Sequence, residues 1–401
     1  MSSDPQLLPP APGTADTAPA KVEPSRSDAF LPFTRPSLCE AAIEEVEACL
    51  RSGWLATGPR VARFEAALAD YLEAREVVAV SSGTAGLHLA LAALNLAPGD
   101  EVITTPLTFV ATSHAIVRAG ARPVFVEVDP GTRNLAVDAV ERALTPRTRV
   151  LLPVHFAGLP ADLDALYALA RRHGLRVIED AAHAIGAGLG GRRVGGMGDT
   201  QVFSFHANKN ITTGEGGAIA TADPELARRV RRLRFHGIDR SEGAPWPYDV
   251  PEAGFKFNMM DLQAALGLHQ LPRLDRFIEA RTRLAARYTA RLADQRAWAL
   301  PAPPPYEHRH AWHLFTVCLD LEHGLTRREF VAEMERRGIG VGVHYPPVHL
   351  LRFYREHYGY ALGDLPRAEA VGASIVSLPL FPGMTGRDVD RVVDAMNEVL
   401  P

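Results

Sequence analysis

Val77-Val78-Ala79-Val80-Ser81-Ser82-Gly83-Thr84-Ala85-Gly86-Leu87 runs four apolar residues into a small polar turn and then into a helical pattern. The apolar run does not alternate with polar residues, so it suits a strand buried on both faces. The Ser-Ser-Gly-Thr turn that follows starts a helix at once, which gives one β–α step.

The same step recurs along the chain. Candidate strands are Val77–Val80, Glu101–Thr104, Pro123–Val128, Val150–Val154, Arg176–Glu179, Gln201–Phe205 and Ala218–Thr221. Helical stretches lie between them, at Thr84–Leu94, Val110–Ala119, Ala136–Leu144 and Leu163–His173. Regular alternation implies an α/β fold with parallel strands covered by helices. Ligands in such sheets bind beyond the carboxyl ends of the strands. Upstream, Leu38, Ala42, Val46, Cys49 and Leu50 keep a helical period up to Ser52-Gly53. Downstream, Leu262–Arg291 reads as one long helix, and the proline-rich Pro301–Pro305 as a connection. Strand-like His313–Leu319 and Gly340–Tyr345, with helices at Arg327–Arg337 and Arg387–Leu400, suggest a smaller α+β domain. The expected organisation is a disordered tail at 1–28, a large domain at 29–270 and a small one at 271–401. Met1–Asp28 is rich in Pro, Ala and Ser and offers almost no large apolar residues to offset its ordering entropy. It lacks the basic start and apolar run of a secretory signal.

The 401 residues are 47% hydrophobic and 22% charged, with a net charge of −4. That is ample for a core, and it gives no electrostatic footprint for nucleic acid or a membrane surface. No apolar run approaches the roughly 18 residues of a membrane helix. Cys39, Cys49 and Cys318 are far apart and form no C-x-x-C pair, so the expected compartment is the reducing cytoplasm.

Three segments carry chemistry. In Ser204-Phe-His-Ala-Asn-Lys209-Asn-Ile-Thr-Thr-Gly-Glu-Gly-Gly217 one lysine follows a candidate strand inside a polar, glycine-rich loop. Partial desolvation there would lower its pKa, as an amine that attacks a carbonyl requires. A lone lysine of this kind is otherwise a solvated surface group. In Val177-Ile-Glu-Asp180-Ala-Ala-His183-Ala-Ile-Gly186, Asp180 stands at a strand's carboxyl end. It can pair with a protonated pyridine nitrogen or cap the following turn. His183 can flank a ring or simply pack. Ser81–Leu87 can cradle a phosphate, with glycine for close approach and a helix N-terminus for free N–H groups.

Two other patterns carry less. Gly186-x-Gly188-x-x-Gly191 matches a dinucleotide fingerprint only formally, because it does not join a strand to a helix. With Arg192-Arg193-Val194-Gly195-Gly196 it reads as a glycine-rich hairpin. His310-Ala-Trp-His313 and His344-Tyr-Pro-Pro-Val-His349 raise metal binding, but no His-Glu-x-x-His pattern is present, and no metal is expected.

From about Phe30 to Leu400 the chain resembles the DegT/StrS family of pyridoxal-phosphate sugar aminotransferases, of the aspartate-aminotransferase-like fold (type I). Besides the three segments, the likeness rests on Ser52-Gly-Trp-Leu-Ala-Thr-Gly-Pro59, Gly99-Asp-Glu-Val-Ile103, Pro153-Val-His-Phe-Ala-Gly158 and Gly254-Phe-Lys-Phe-Asn-Met-Met-Asp-Leu-Gln-Ala-Ala-Leu-Gly267. Within the family it is most similar to the UDP-4-amino-4-deoxy-L-arabinose–oxoglutarate aminotransferases. Phe30-Leu-Pro-Phe-Thr-Arg-Pro36, Glu179–Gly186, His310–Phe315 and Ser377-Leu-Pro-Leu-Phe-Pro382 carry that likeness. Where many relatives have Asn-Tyr-Arg-Met, this chain has Lys256-Phe-Asn-Met259, and where others have glutamine it has His183.

The resemblance implies pyridoxal phosphate bonded covalently to Lys209, which also moves the proton. It implies Asp180 on the ring nitrogen, Phe109 and His183 against the ring, and Gly83, Thr84 and Ser204 on the phosphate. Asn258 would reach the neighbouring subunit's cofactor, making a homodimer with shared sites. Trp54, His344 and the Ser52–Pro59 loop would border a sugar-nucleotide cleft. The implied reaction moves an amino group from L-glutamate, released as 2-oxoglutarate, to the C4 ketone of a nucleotide-linked 4-keto-pentose or 4-keto-6-deoxyhexose. The alternatives are a 3-keto sugar or keto-cyclitol as acceptor, and a non-catalytic cofactor-binding regulator. A related dehydratase is disfavoured because those relatives have histidine in place of Lys209.

Overall fold

The computed structural model describes residues 30–239 and 248–400, so the expected tail at 1–28 lies outside the described residues. Thirteen strands form three sheets among these residues. The strands are β1 (Glu76–Val80), β2 (Glu101–Thr104), β3 (Arg122–Phe125), β4 (Thr148–Leu152), β5 (Arg176–Asp180), β6 (Gly188–Leu189) and β7 (Arg192–Arg193). They continue as β8 (Thr200–Ser204), β9 (Gly217–Thr221), β10 (Trp298–Ala299), β11 (His308–Arg309), β12 (Phe315–Leu319) and β13 (Ile375–Leu378).

The main sheet has the order β1-β9-β8-β5-β4-β2-β3. Its members are buried almost throughout, which is why their sequences run apolar without alternation. The chain therefore has an α/β fold around a mostly parallel sheet. One expectation needs correction: β9 runs antiparallel to both its neighbours, β1 and β8. The reason is the connection. A loop of residues 205–216 returns the chain directly from β8, with no crossover helix to reverse it.

The first four helices are α1 (Glu40–Ser52), α2 (Pro59–Leu72), α3 (Gly83–Ala92) and α4 (Val110–Arg118), and α3 and α4 begin at the cavity of the candidate site. Ser82 caps α3 through its side-chain oxygen, which accepts the Ala85 N–H at 3.1 Å. The expected single helix Leu262–Arg291 is instead two, Asp261–Gln270 and Leu274–Leu292. A tight turn, Leu271–Arg273, separates them, and its Pro272 supplies no N–H to continue the first ladder. The first half of the second helix packs into the large core through Leu274, Phe277 and Ile278. Its second half packs against β12 and β13 through Leu284, Ala285, Tyr288 and Leu292.

The small sheet is β10-β12-β13, antiparallel throughout. Gly340–Tyr345 is not the expected strand. It makes one bridge, Gly342 to Ser377, and its last three residues line a cavity. The glycine-rich stretch is the expected hairpin: β6 pairs with β7 in antiparallel register.

Candidate active site

The carboxyl ends of the parallel strands open into a cavity of about 730 Å³. Its lining includes Gly83, Thr84, Phe109, Asp180, His183, Ser204, Lys209 and His344. These are eight of the ten residues singled out in the sequence. Trp54 and Asn258 are not among the lining residues. Trp54 is 57% exposed, and Asn258 donates from Nδ2 to Thr57 Oγ1 at 2.6 Å.

Asp180 ends β5. Its Oδ2 accepts the Thr112 hydroxyl at 2.7 Å and its Oδ1 accepts the Ala182 N–H at 3.1 Å. The sequence left a choice between cofactor partner and turn cap, and the side chain does cap a turn with one oxygen. Burial pushes its pKa up, opposed by the Thr112 hydroxyl, the Ala182 N–H and the Lys209 ammonium. Thr112 lies in the first turn of α4, and its only hydroxyl hydrogen goes to Asp180. Thr108 therefore donates to Thr112, at 2.7 Å.

Lys209 sits in the return loop between β8 and β9, which is pinned at several points. Phe205 N–H donates to the Gly216 carbonyl and Thr213 N–H to the Phe205 carbonyl, both at 2.9 Å. Asn210 donates to the Ala311 carbonyl at 2.7 Å, and Ile211 is buried beside it. Part of the lysine's surface is open, but its amine is enclosed. Burial lowers its pKa to about 8, against the opposite pull of Asp180.

Ser204 ends β8 beside Gly83. A Cβ on Gly83 would lie 2.9 Å from the Ser204 Cβ, so only glycine leaves that corner open. His183 lies tilted against His313, with centroids 4.4 Å apart, and its Nε2 meets the Tyr345 hydroxyl at 3.1 Å. Its Nδ1 is buried with no partner. His344 Nδ1 meets Ser377 Oγ at 2.8 Å. Burial first, then the charge of Lys209, lowers the pKa of both His183 and His344, the latter to about 4. Both imidazoles are neutral near pH 7. Phe109 precedes α4 and leaves 59% of its surface open at the cavity.

The sequence reading missed Thr112, Tyr345 and His313. Thr112 lay inside the helical stretch Val110–Ala119, with nothing to single it out. Tyr345 and His313 lay in the two histidine segments weighed for metal. Of the other histidines there, His310 stacks on Trp312, and His349 meets Glu369 Oε1 at 3.0 Å.

The cavity fits pyridoxal phosphate. It holds an enclosed amine of depressed pKa, a buried carboxylate, an unpartnered buried imidazole nitrogen and a helix N-terminus with a glycine corner. The chain is 44% identical over 380 residues to the spore coat polysaccharide biosynthesis protein SpsC of Bacillus subtilis, covering 92% of this chain and 97% of that one. Its structure is similar to Helicobacter pylori PseC, an aminotransferase of pseudoaminic acid biosynthesis, with a TM-score of 0.88, 27% identity and coverage of 92% and 99%. It is also similar to the putative sugar aminotransferase Spr1654 of Streptococcus pneumoniae in its PLP form, with a TM-score of 0.86, 31% identity and coverage of 93% and 100%. The DegT/DnrJ/EryC1/StrS aminotransferase model matches residues 36–397. The chain belongs to that family and is a pyridoxal-phosphate-dependent aminotransferase.

Proposed function

We propose that the chain transfers an amino group from L-glutamate to the C4 ketone of a nucleotide-linked sugar destined for a surface polysaccharide or lipid A. The observation that carries the reading is the joint presence of Lys209, Asp180 and the Gly83–Ser204 corner in one cavity. The sugar comes from the relatives: SpsC is named for polysaccharide biosynthesis and Spr1654 as a putative sugar aminotransferase.

When bound, pyridoxal phosphate supplies an electron sink for charge developing at the carbon next to the transferred nitrogen. Gly83 and Thr84 offer backbone N–H groups at the start of α3, and Ser204 a hydroxyl, to hold its phosphate. Asp180 is oriented by Thr112 and Ala182, so its carboxylate is set to keep a ring nitrogen protonated. Phe109 and His183 offer faces for the ring, and His344 borders the sugar-nucleotide side, which Trp54 would border only with a second copy of the chain in place. Lys209 Nζ is the group that would hold the cofactor covalently, and its amine would serve as the base that takes the proton from the donor's α-carbon. Neutral imidazoles at His183 and His344 leave Lys209 as the cation facing Asp180.

With a pKa of about 8, only about a tenth of the Lys209 amines are unprotonated at pH 7. The rate at which apoprotein takes up pyridoxal phosphate should therefore climb between pH 7 and 9, with its midpoint near pH 8. Absorbance stopped-flow reads it, and a flat profile would refute the assignment.

The proposal includes a homodimer in which Asn258 serves the neighbouring subunit's site. Support comes from an apolar surface beside it: Leu38, Ile43, Leu50, Trp54, Leu55 and Met260 are all exposed. Ile43 and Leu50 are seven residues apart on α1 and share a face. Co-refolding Lys209→Ala with Asn258→Ala should restore about a quarter of the wild-type sites. Half of randomly mixed dimers are hybrids, and each hybrid has one intact site. A mixture as inactive as its components would sink the shared site. The three cysteines are free, which supports a cytoplasmic location. No described helix is long and apolar enough to cross a membrane. The reaction itself is tested by following 2-oxoglutarate release with L-glutamate and a panel of UDP- and dTDP-linked 4-keto and 3-keto sugars. Turnover confined to 3-keto sugars would overturn the C4 reading.

A further inference from the structure

Behind Asp180, on the opposite face of the sheet, lies a polar cluster that none of these roles uses. Glu179 and Asp180 are consecutive in β5, so their side chains point to opposite faces. Glu179 and His155 are both fully buried. His155 Nε2 meets Glu179 Oε2 at 2.9 Å. Glu179 Oε1 accepts from the Tyr167 hydroxyl at 2.7 Å and from Gln201 Nε2 at 2.6 Å.

Bond directions follow from the donors available. The Ala161 N–H donates to His155 Nδ1 at 3.1 Å, so the imidazole proton is on Nε2 and is given to Glu179. The Asp199 N–H donates to the Tyr167 oxygen at 2.7 Å, and the phenol hydrogen goes on to Glu179. Three donors thus converge on one carboxylate.

The cluster grips the strand end that bears Asp180. The His155 N–H donates to the Asp180 carbonyl at 3.1 Å, and the Asp180 N–H donates to the Pro153 carbonyl at 2.8 Å. Gln201 is the register partner of Glu179 on β8, three residues before Ser204. The same carboxylate therefore ties the end of β4, the end of β5 and the strand carrying Ser204. Room for it is kept by Gly198, where a Cβ would lie 2.6 Å from Glu179 Oε1.

We propose that Glu179 and His155 are positioning residues for the cofactor site, holding Asp180 in register with Ser204 from the reverse face of the sheet. This rests on Asp180 as the partner of the cofactor's ring nitrogen.

Two substitutions at one position isolate the Glu179 link. In His155→Asn the side-chain amide matches Nδ1 and can still accept the Ala161 N–H, but it cannot reach Glu179. In His155→Gln the amide nitrogen matches Nε2 and restores the donation. Pyridoxal phosphate is titrated into each apoprotein, and the bound chromophore is then titrated with pH. His155→Asn should weaken cofactor affinity about tenfold, the effect of one unmet buried hydrogen bond, and shift the chromophore's midpoint. His155→Gln should remain within about twofold of wild type on the same scale. Equal behaviour of the two variants, or a lower unfolding temperature in His155→Asn with unchanged affinity and midpoint, overturns the proposal. Should His155→Asn fail to fold, Tyr167→Phe removes one donor to Glu179 and must weaken affinity in the same direction. Asp180→Asn is measured alongside. If it weakens affinity while His155→Asn does not, the positioning role alone falls. If Asp180→Asn binds like wild type, the Asp180 assignment falls with it.

Discussion

Lys209→Ala should reduce turnover by about 10⁴-fold, the upper range for loss of a positioned acid–base group. The expected loss is this large because the proposed function gives one amine two tasks, anchoring the cofactor and moving the proton. Three other ionisable side chains of the cavity are poor substitutes. His183 and His344 have pKa values pushed down chiefly by burial, which the substitution leaves in place, so both are weak bases. Tyr345 is pushed the other way by burial and by Asp180, so its phenol does not ionise near neutral pH. Steady-state 2-oxoglutarate release measures the loss, and the absorbance of bound cofactor should change with it. Because the loop is held by Asn210, Ile211 and its own backbone bonds, the variant should fold. Turnover within about tenfold of wild type would sink the assignment.

Phe64→Ala should cost about 3–5 kcal/mol of stability, the usual penalty for emptying an aromatic site in a core. Phe64 is fully buried on α2, with its ring edge-on to Phe205 at 5.5 Å. Its other side lies against Gly267, where even a Cβ would stand 2.5 Å from the ring. That fit leaves little slack for the surroundings to collapse into the hole. A domain of ordinary stability holds about 5–15 kcal/mol, so the loss is a large share of the whole. Urea unfolding of apoprotein at fixed concentration reads it. A change below about 1 kcal/mol would mean that the cavity refills. The consequence reaches the site, because the Phe205 carbonyl accepts from Thr213 N–H and Thr212 Oγ1 and so closes the Lys209 loop.

The strands were legible because buried parallel strands write themselves as unbroken apolar runs. Glu101–Thr104 matches the structure residue for residue, and Arg176–Glu179 gains only Asp180. Residues at or shortly after a strand end, such as Asp180, Lys209 and Gly83, could be placed at one edge from that fact alone. The direction of β9 was not legible, since periodicity is the same for a strand run either way. Pro272 was visible, but helical periodicity continues on both sides of it and hid the break. Gly340–Tyr345 has the composition of a strand, yet it makes a single bridge as it passes the cavity. Thr112 could not be assigned because its meeting with Asp180 needs α4 and β5 placed together first. Trp54 and Asn258 were named from resemblance. They stand outside this chain's cavity, where a second chain is needed to give them the proposed task.

The reversed strand β9 also orders the making of the site in time. β8 and β9 are joined by residues 205–216, so their ladder is a local contact and closes early. β1 and β9 pair residues such as Val80 and Gly217, far apart along the chain, and that ladder waits for the sheet between them. The lysine loop is thus shaped by neighbours, whereas the glycine corner beside Ser204 exists only once the two ends of a long stretch of chain have met. The phosphate affinity proposed for that corner is, in that sense, a property of the finished fold rather than of any fragment of it.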